Sequence, residues 1–370
     1  MSNHPGTRPA AHGPPPQQRE TAGGRGPLTV NPVRCAVVGL GMIGSVHAAV
    51  LHEHPLADLV AACDLDPATR SAVPPGVPLI DSPERLFDEY KLEAVFICTP
   101  QAHHREVVEV ALRRGLAVFC EKPIAHDLED ADAIIAAADR GPGRLVIGHT
   151  LRFDPAYVQL AAAIAAGDIG EVVSIAARRN VPSFEGRVIA GRTTLATEIA
   201  VHDLDVARWI AGDIVRVHAE QSRRGVVGEG FADAIVATIR FAGGAVGVMD
   251  FNWTMSAESG VSSDHRFAAF GSDGSAYADS RTPSVAIFST TATSFIRTDW
   301  LAELYGVYAG VLRTEDEYVL RTIRENLEWP ISLGDARAAL DAALALDCSL
   351  ATGEPVTVST PPDPVPAVAN

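Results

Sequence analysis

The stretch Gly39-Leu40-Gly41-Met42-Ile43-Gly44 leaves this chain few folds to choose from. It follows the β-branched run over residues 33–39 and opens a helical pattern over 42–53. In that setting the first glycine permits a tight turn, the second lets backbone approach a pyrophosphate, and the third lets helix and strand pack closely. The spacing predicts a dinucleotide whose pyrophosphate rests on the helix N-terminus, lined by Gly39, Gly41, Met42, Ile43 and Gly44. Unpaired N–H groups and the helix dipole favour negative charge there. A second apolar run over 59–63 leads into Asp64, 20 residues (64 − 44) beyond Gly44. An acid at that spacing accepts bonds from the adenosine ribose hydroxyls. It also repels a 2′-phosphate, so NAD is expected rather than NADP; Arg70 stands close by and would favour the phosphate.

Further apolar runs at 94–98, 116–120 and 145–148 alternate with helical patterns near 103–114 and 127–139. Continuously apolar strands between helices indicate a parallel sheet covered on both faces. Beyond residue 150 the pattern changes. A helix at 155–166 precedes strand-like segments near 171–180, 213–222, 231–241, 244–253, 264–270, 275–279 and 284–289, with Gly243-Gly244 as a tight hairpin. Helical runs at 314–327 and 334–352 follow. The expected fold is α/β: an N-terminal Rossmann domain with a doubly wound parallel sheet (33–150), then an α+β domain with a large, mostly antiparallel sheet (151–357). Residues 1–32, rich in Pro, Gly, Gln and Ala, cannot bury enough surface to offset ordering entropy and are expected to be disordered. The stretch from Pro361 reads the same way, within a C-terminal tail over 358–370.

The formal net charge of −16 repels phosphates and anionic lipid, which argues against nucleic-acid and membrane partners. No apolar run approaches the ~20 residues a membrane-spanning helix needs, and no signal pattern opens the chain. A cytoplasmic location is expected by default. Cys35, Cys63, Cys98, Cys120 and Cys348 form no C-x-x-C pair, and four lie in strand-like runs as small hydrophobes. No metal site is expected, because the adjacent His103 and His104 would diverge on a helix.

Two elements could carry chemistry. Glu121-Lys122-Pro123 ends the strand beginning at Leu116, and a residue before proline is pushed into extended conformation. Lys122 at such a strand end either hydrogen-bonds a substrate hydroxyl or is a surface lysine in a loop. The helical segment from Thr197 to Ile210 places Glu198 and His202 four residues apart. Their side chains are expected to meet on one helix face, where the carboxylate orients the imidazole and raises its basicity, in a catalytic pair or in a satisfied core histidine. Oxidation of an alcohol needs a hydride acceptor and a base, and His202 with Lys122 beside it can supply the base.

Together these motifs resemble the Gfo/Idh/MocA oxidoreductase family over about residues 33–357. The likeness rests on Gly39–Gly44, Cys98-Thr99-Pro100-Gln101-Ala102-His103-His104, Glu121-Lys122-Pro123, the run from Gly148 to Pro155, the segment from Glu198 to Trp209, and the closing run from Asp347 to Val356. It implies that Lys122 and His202 are catalytic and that the Lys122–Pro123 bond is cis. It places Glu121 on the nicotinamide side, Thr99, Pro100 and His104 beside the dinucleotide, and Glu198, Arg152 and Asn180 within reach of substrate or cofactor. It further implies a homodimer or homotetramer built on the C-terminal sheet. One departure stands out: inositol-dehydrogenase-like members usually carry Asp four residues before the histidine, and here the position is Glu198.

The expected function is NAD-dependent hydride transfer at a secondary alcohol carbon of a cyclitol, sugar or sugar derivative. Three alternatives stay open: an NADP-dependent aldehyde, ketone or sugar reductase, a non-catalytic dinucleotide-sensing regulator, and a redox-assisted lyase or glycosidase. The 181–194 segment, with Arg187 and Arg192, is expected to cover the site. Those arginines would suit an anionic substrate group if they faced it, and surface positions otherwise.

Overall fold

The computed structural model describes residues 31–256, 263–279, 285–288, 293–296 and 302–358. Most of the N-terminal tail (1–30), the end of the chain (359–370) and both ends of the 284–289 strand pattern lie outside the described residues.

Six strands form the first sheet: β1 (Val33–Val38), β2 (Ala57–Cys63), β3 (Leu79–Ile80), β4 (Ala94–Ile97), β5 (Ala117–Glu121) and β6 (Arg144–Gly148). Their order is β3-β2-β1-β4-β5-β6 and every neighbouring pair is parallel. The order reverses between β1 and β4, and open α/β sheets bind ligands beyond the strand ends at that switch point. The connecting helices are α1 (Met42–Glu53), α2 (Pro83–Glu89), α3 (His104–Arg113) and α4 (Leu128–Arg140). Nothing in the apolar periodicity marked α2. Its signal is local: Ser82 caps the helix by accepting from Arg85 N, and Pro83 occupies the first turn.

The second sheet follows α5 (Pro155–Ala165). It contains β7 (Val172–Pro182), β8 (Ile214–Ser222), β9 (Ala234–Phe241), β10 (Val246–Met255), β11 (Asp264–Gly271) and β12 (Ser275–Asp279). Between β7 and β8 the chain forms α6 (Ser183–Ile189), a π-turn over Ala196–Ala200, and α7 (Val201–Ala211). Two small hairpins, β13 (Val285–Phe288) with β14 (Thr293–Ile296) and β15 (Ala302–Leu304) with β16 (Val307–Ala309), precede α8 (Val311–Glu325), α9 (Leu333–Thr352) and β17 (Val356–Thr357). The sheet order is β12-β11-β7-β10-β9-β8-β17, antiparallel except for the β7–β10 pair.

The continuous apolarity of β1 has a direct cause. Ala36 and Val38 pack into a core with Val108, Leu112, Ile134 and Leu340 of α9, while Cys35 and Val37 pack with Leu51, Phe119, Val319 and Leu320 of α8. The last two helices therefore return to cover both faces of the first sheet. By contrast β9 and β10 bury alternate residues, since only one face of the second sheet meets helices.

The turn after β1 depends on its glycines. Gly39 holds φ +90°, and a Cβ there would lie 2.7 Å from the Cys98 carbonyl carbon. A Cβ on Gly44 would lie 1.9 Å from Gly39 O, whereas one on Gly41 would meet nothing within 4 Å. Gly44→Ala is expected to destabilise the protein by about 3 kcal/mol or more. Gly41→Ala should leave the melting temperature near wild type; differential scanning fluorimetry of the two variants checks this contrast.

Candidate functional site

The glycine turn and Asp64 form one cradle. Asp64 Oδ2 accepts from Leu40 N at 2.6 Å and Oδ1 accepts from Asp66 N at 2.9 Å. The carboxylate thus ties the end of β2 to the glycine loop, and each oxygen keeps a lone pair for a ribose hydroxyl. Met42 is exposed at the start of α1, Ile43 is half-buried, and no side chain caps the N-terminus of α1. Arg70 turns to the Val77 carbonyl at 3.0 Å. Open space over Gly41, an uncapped helix start and a fixed carboxylate fit NAD: a pyrophosphate on the amides and a ribose on Asp64.

Thr99 and Pro100 follow β4 at the adjoining strand end, and Thr99 Oγ1 is buried without a partner among the described residues. His104, expected beside the dinucleotide, lies behind this loop. Its ring is buried, with nitrogens 2.9 Å from Thr99 O and 3.0 Å from Pro123 O, and burial pushes its pKa down. It braces the loop against the Glu121-Lys122-Pro123 turn rather than facing a ligand.

At the end of β5 the Lys122–Pro123 bond is cis. Lys122 Nζ donates to Glu198 Oε1 and to Glu198 O, each at 3.0 Å, so the lysine of the first sheet meets the π-turn that leads into α7. This corrects one expectation: Glu198 does not pair with His202. The Glu198 carboxylate is drawn to the lysine that reaches the π-turn from β5, so its partner comes from the first sheet rather than from its own helix. The imidazole is instead pushed well below its usual pKa by burial and by the positive charges of Lys122 and Arg179. His202 therefore stands neutral at neutral pH, able to accept a proton and ready to release it. Glu121 faces inward: Oε1 meets His47 Nε2 at 3.1 Å and Oε2 accepts from Lys122 N at 3.0 Å.

Two aspartates that sequence reasoning passed over hold α7 in place. Asp203 takes the Arg179 guanidinium from β7, with Nε at 2.5 Å, and Asp205 takes Arg152 at 2.7 and 2.8 Å. Arg152 also stacks over Trp209, 4.5 Å from the ring centre. Expected to reach a ligand, its guanidinium is committed to Asp205 and buried. Asn180 is likewise displaced from its expected role. It pairs in register with Asn252 on β10, its Oδ1 accepts from Asn252 Nδ2 at 2.6 Å, and alternation puts both on the sheet face opposite Arg179. The neighbour facing α7 is Arg179, beside His265 at 3.1 Å.

The segment between β7 and α7 borders this centre. Gln101 Nε2 donates to Thr193 Oγ1 at 3.3 Å, which joins the loop after β4 to the approach of the π-turn. Arg187 and Arg192 bond only their own helix and turn, at Ser183 and Val188, and lie at the surface. The segment's contribution to the site is acidic: burial and the nearby Glu198 charge push Glu185 up to about 7. His149, after β6, is buried with both ring nitrogens unpartnered among the described residues, and its Nδ1 lies 3.8 Å from Asp205. Burial lowers its pKa, with Asp205, Arg152 and Lys122 among the charges acting on it. Glu185 sits in no spacing pattern that could have singled it out, while His149 lies in the Gly148–Pro155 run that carries part of the family resemblance.

A parallel sheet ordered 3-2-1-4-5-6, a glycine cradle and a lysine–carboxylate–imidazole centre at its edge define a dinucleotide-dependent oxidoreductase. Residues 33–149 match the GFO/IDH/MocA oxidoreductase family, NAD-binding Rossmann fold, and residues 157–277 match the GFO/IDH/MocA C-terminal domain. The chain is 28% identical to inositol 2-dehydrogenase of Rhizobium meliloti, over 88% of this chain and 99% of that one. It is 32% identical to myo-inositol 2-dehydrogenase of Thermotoga maritima, over 67% and 75%. The crystal structure of a myo-inositol dehydrogenase from Corynebacterium glutamicum superposes with a TM-score of 0.70 at 25% identity, covering 89% of this chain and all of that one. The chain belongs to the Gfo/Idh/MocA family of NAD-binding oxidoreductases.

Glu185 generates a pH prediction. Its folded pKa of about 7 lies above its ordinary 4.5, so the folded state binds the extra proton and loses stability as pH rises from about 4.5 to about 7. Glu185→Gln removes that loss. Its melting temperature relative to wild type is expected to rise across this window and then level off; a constant difference at all pH values would contradict the assignment.

Proposed function

We propose that the protein oxidises a secondary alcohol of a cyclitol, sugar or sugar derivative, with NAD as hydride acceptor. The observation that carries this reading is the meeting of Lys122 with Glu198 at 3.0 Å, four residues before a neutral His202, at the edge of the dinucleotide cradle. Bound NAD supplies the acceptor for the hydride. Lys122, with two of its three N–H donors on Glu198, gives the third to the reacting hydroxyl. His202 takes that hydroxyl's proton on a ring nitrogen as the carbonyl forms. With its proton on the imidazole and its hydride accepted by a bound nicotinamide, the alcohol would be left as a ketone. A positioned base is worth roughly 10²–10⁴ in rate.

Glu198, with one oxygen on Lys122, keeps acceptor capacity for a neighbouring substrate hydroxyl. Two carboxyl groups, Glu198 and Glu185, with the segment's arginines turned to the surface, favour a neutral polyhydroxy substrate over an acid. Asp64 and the engagement of Arg70 by Val77 favour NAD over NADP. The names of the relatives point the same way, to cyclitols. Among the described residues no helix is long and apolar enough to cross a membrane; the cytoplasm, with its NAD pool, suits this reaction.

The open face of the second sheet suits a second copy of this chain. Val236, Val246, Val248, Phe270 and Tyr277 all point outwards and are exposed. Such a row of apolar side chains on a flat face marks an association surface.

NADH formation followed at 340 nm against a panel of inositols and aldoses tests the reaction. Lys122→Ala and His202→Ala are each expected to lower kcat/KM by about 10²–10⁴ on the best substrate. Equal turnover by wild type and Lys122→Ala would sink the assignment, and product without net NADH would replace it with a redox-assisted elimination. For assembly, light scattering behind size exclusion is expected to find an oligomer that Val248→Arg shifts towards monomer.

A further inference from the structure

We propose that His47 is a positioning residue of the catalytic centre: from the dinucleotide-binding helix it holds Glu121, and through Glu121 the backbone of Lys122. This rests on the reading of Lys122 as catalytic given above.

His47 lies on α1, the helix whose N-terminus borders the glycine turn, and its ring is fully buried. The ring packs on Phe119 and Phe96, with centroids 5.1 and 6.0 Å away. Nδ1 lies 2.8 Å from Asp316 Oδ1 on α8, and Nε2 lies 3.1 Å from Glu121 Oε1 on β5. The other Glu121 oxygen accepts from Lys122 N at 3.0 Å. A line of hydrogen bonds thus runs from α8 through α1 to the peptide that carries the lysine.

Both ring nitrogens face carboxylates, which offer only acceptors when ionised, so the ring satisfies both bonds as an imidazolium. The electrostatics agree. Burial opposes charge on His47, yet Asp316 and Glu121 raise its pKa well above the usual value, while His47 and Lys122 hold Glu121 below its own against burial. Also facing this cluster, Glu315 of α8 is pushed well above its ordinary pKa by burial and by the Glu121 charge, and its Oε2 accepts from Thr150 at 3.1 Å. Burial raises Asp316 too, and the charge of His47 and its hydrogen bond oppose that rise.

A merely structural pair could be replaced by apolar residues of similar volume, often without loss of stability. Removing the histidine alone would leave Glu121 and Asp316 facing each other as buried acids, so that one takes up a proton. Glu121 would then lose the partner that fixes its orientation, and Lys122 N–H the acceptor that fixes the peptide.

The test uses the full chain with NAD and the polyol that wild type oxidises best. His47→Leu is compared with the double variant His47→Leu/Asp316→Leu, reading melting temperature, NAD Kd, kcat, KM and the pH profile of kcat. The single variant is expected to melt lower and lose at least about tenfold in kcat, equivalent to ~1.4 kcal/mol of barrier. The double variant is expected to recover the melting temperature while kcat stays down, KM moves by less than about threefold and the pH profile shifts. Recovery of kcat together with melting temperature would reduce His47 to a structural role and overturn the proposal. Should the double variant not fold, His47→Gln, which keeps one donor for Glu121 without the charge, serves instead: a lowered kcat with a shifted pH profile supports the proposal, and wild-type values for both overturn it. Undiminished turnover in Lys122→Ala would overturn the underlying reading of the site instead.

Discussion

The contact between Lys122 and Glu198 is the interaction on which the rest of the architecture converges. It joins the end of β5 in the parallel sheet to the π-turn that enters α7 beneath the mixed sheet. The lysine side chain is largely buried and bonds both the carboxylate and the main-chain carbonyl of one residue. Two bonds to a single residue fix its direction as well as its distance. A charged amine withdrawn from water needs such partners, and here the partner belongs to the element that also carries His202.

The same logic of paired charge sets the position of α7. Asp203 and Asp205 lie fully buried on that helix, each holding an arginine from another element, and Arg208 bonds Asp335 of α9 and Asp213 beyond the helix end. On the same helix His202 lies near Lys122 and Arg179, and burial together with those positive charges lowers its pKa. Burial raises the pKa of Asp203 and Arg179 opposes that rise, so the pairing offsets part of the cost of taking the carboxylate out of water.

Much of this was legible along the chain. Strand runs with both faces apolar announced the parallel sheet because α8 and α9 cover what the connecting helices leave open. Glycine spacing and Asp64 announced the cradle because backbone sterics at Gly39 and Gly44 admit no side chain. Lys122 stood out through the proline after it. Other features left no mark in sequence: α6 is short and half-exposed, and Glu185 reaches the site from it without any repeating pattern. Asn180 and Arg179 show how fine the margin is. They are adjacent in sequence, yet strand alternation sends them to opposite faces, and only the pairing with Asn252 and His265 tells which faces the helix. Glu198 and His202 failed as a pair because Lys122, 76 residues away in sequence, takes the Glu198 carboxylate.

By itself, then, the sequence determined the local grammar: which runs are strands, where backbone must turn without side chains, and which residue types have the chemistry for dinucleotide and alcohol. Those properties depend on neighbours within a few positions, where sterics and periodicity act directly. The tertiary structure decided the partners: that Lys122 meets Glu198, that His47 reaches Glu121 and Asp316, that Arg152 serves Asp205, and that His202 stays neutral. Each of those outcomes depends on charges brought together across long stretches of chain, and the strength of a charge in a protein is set by burial and by its neighbours in space.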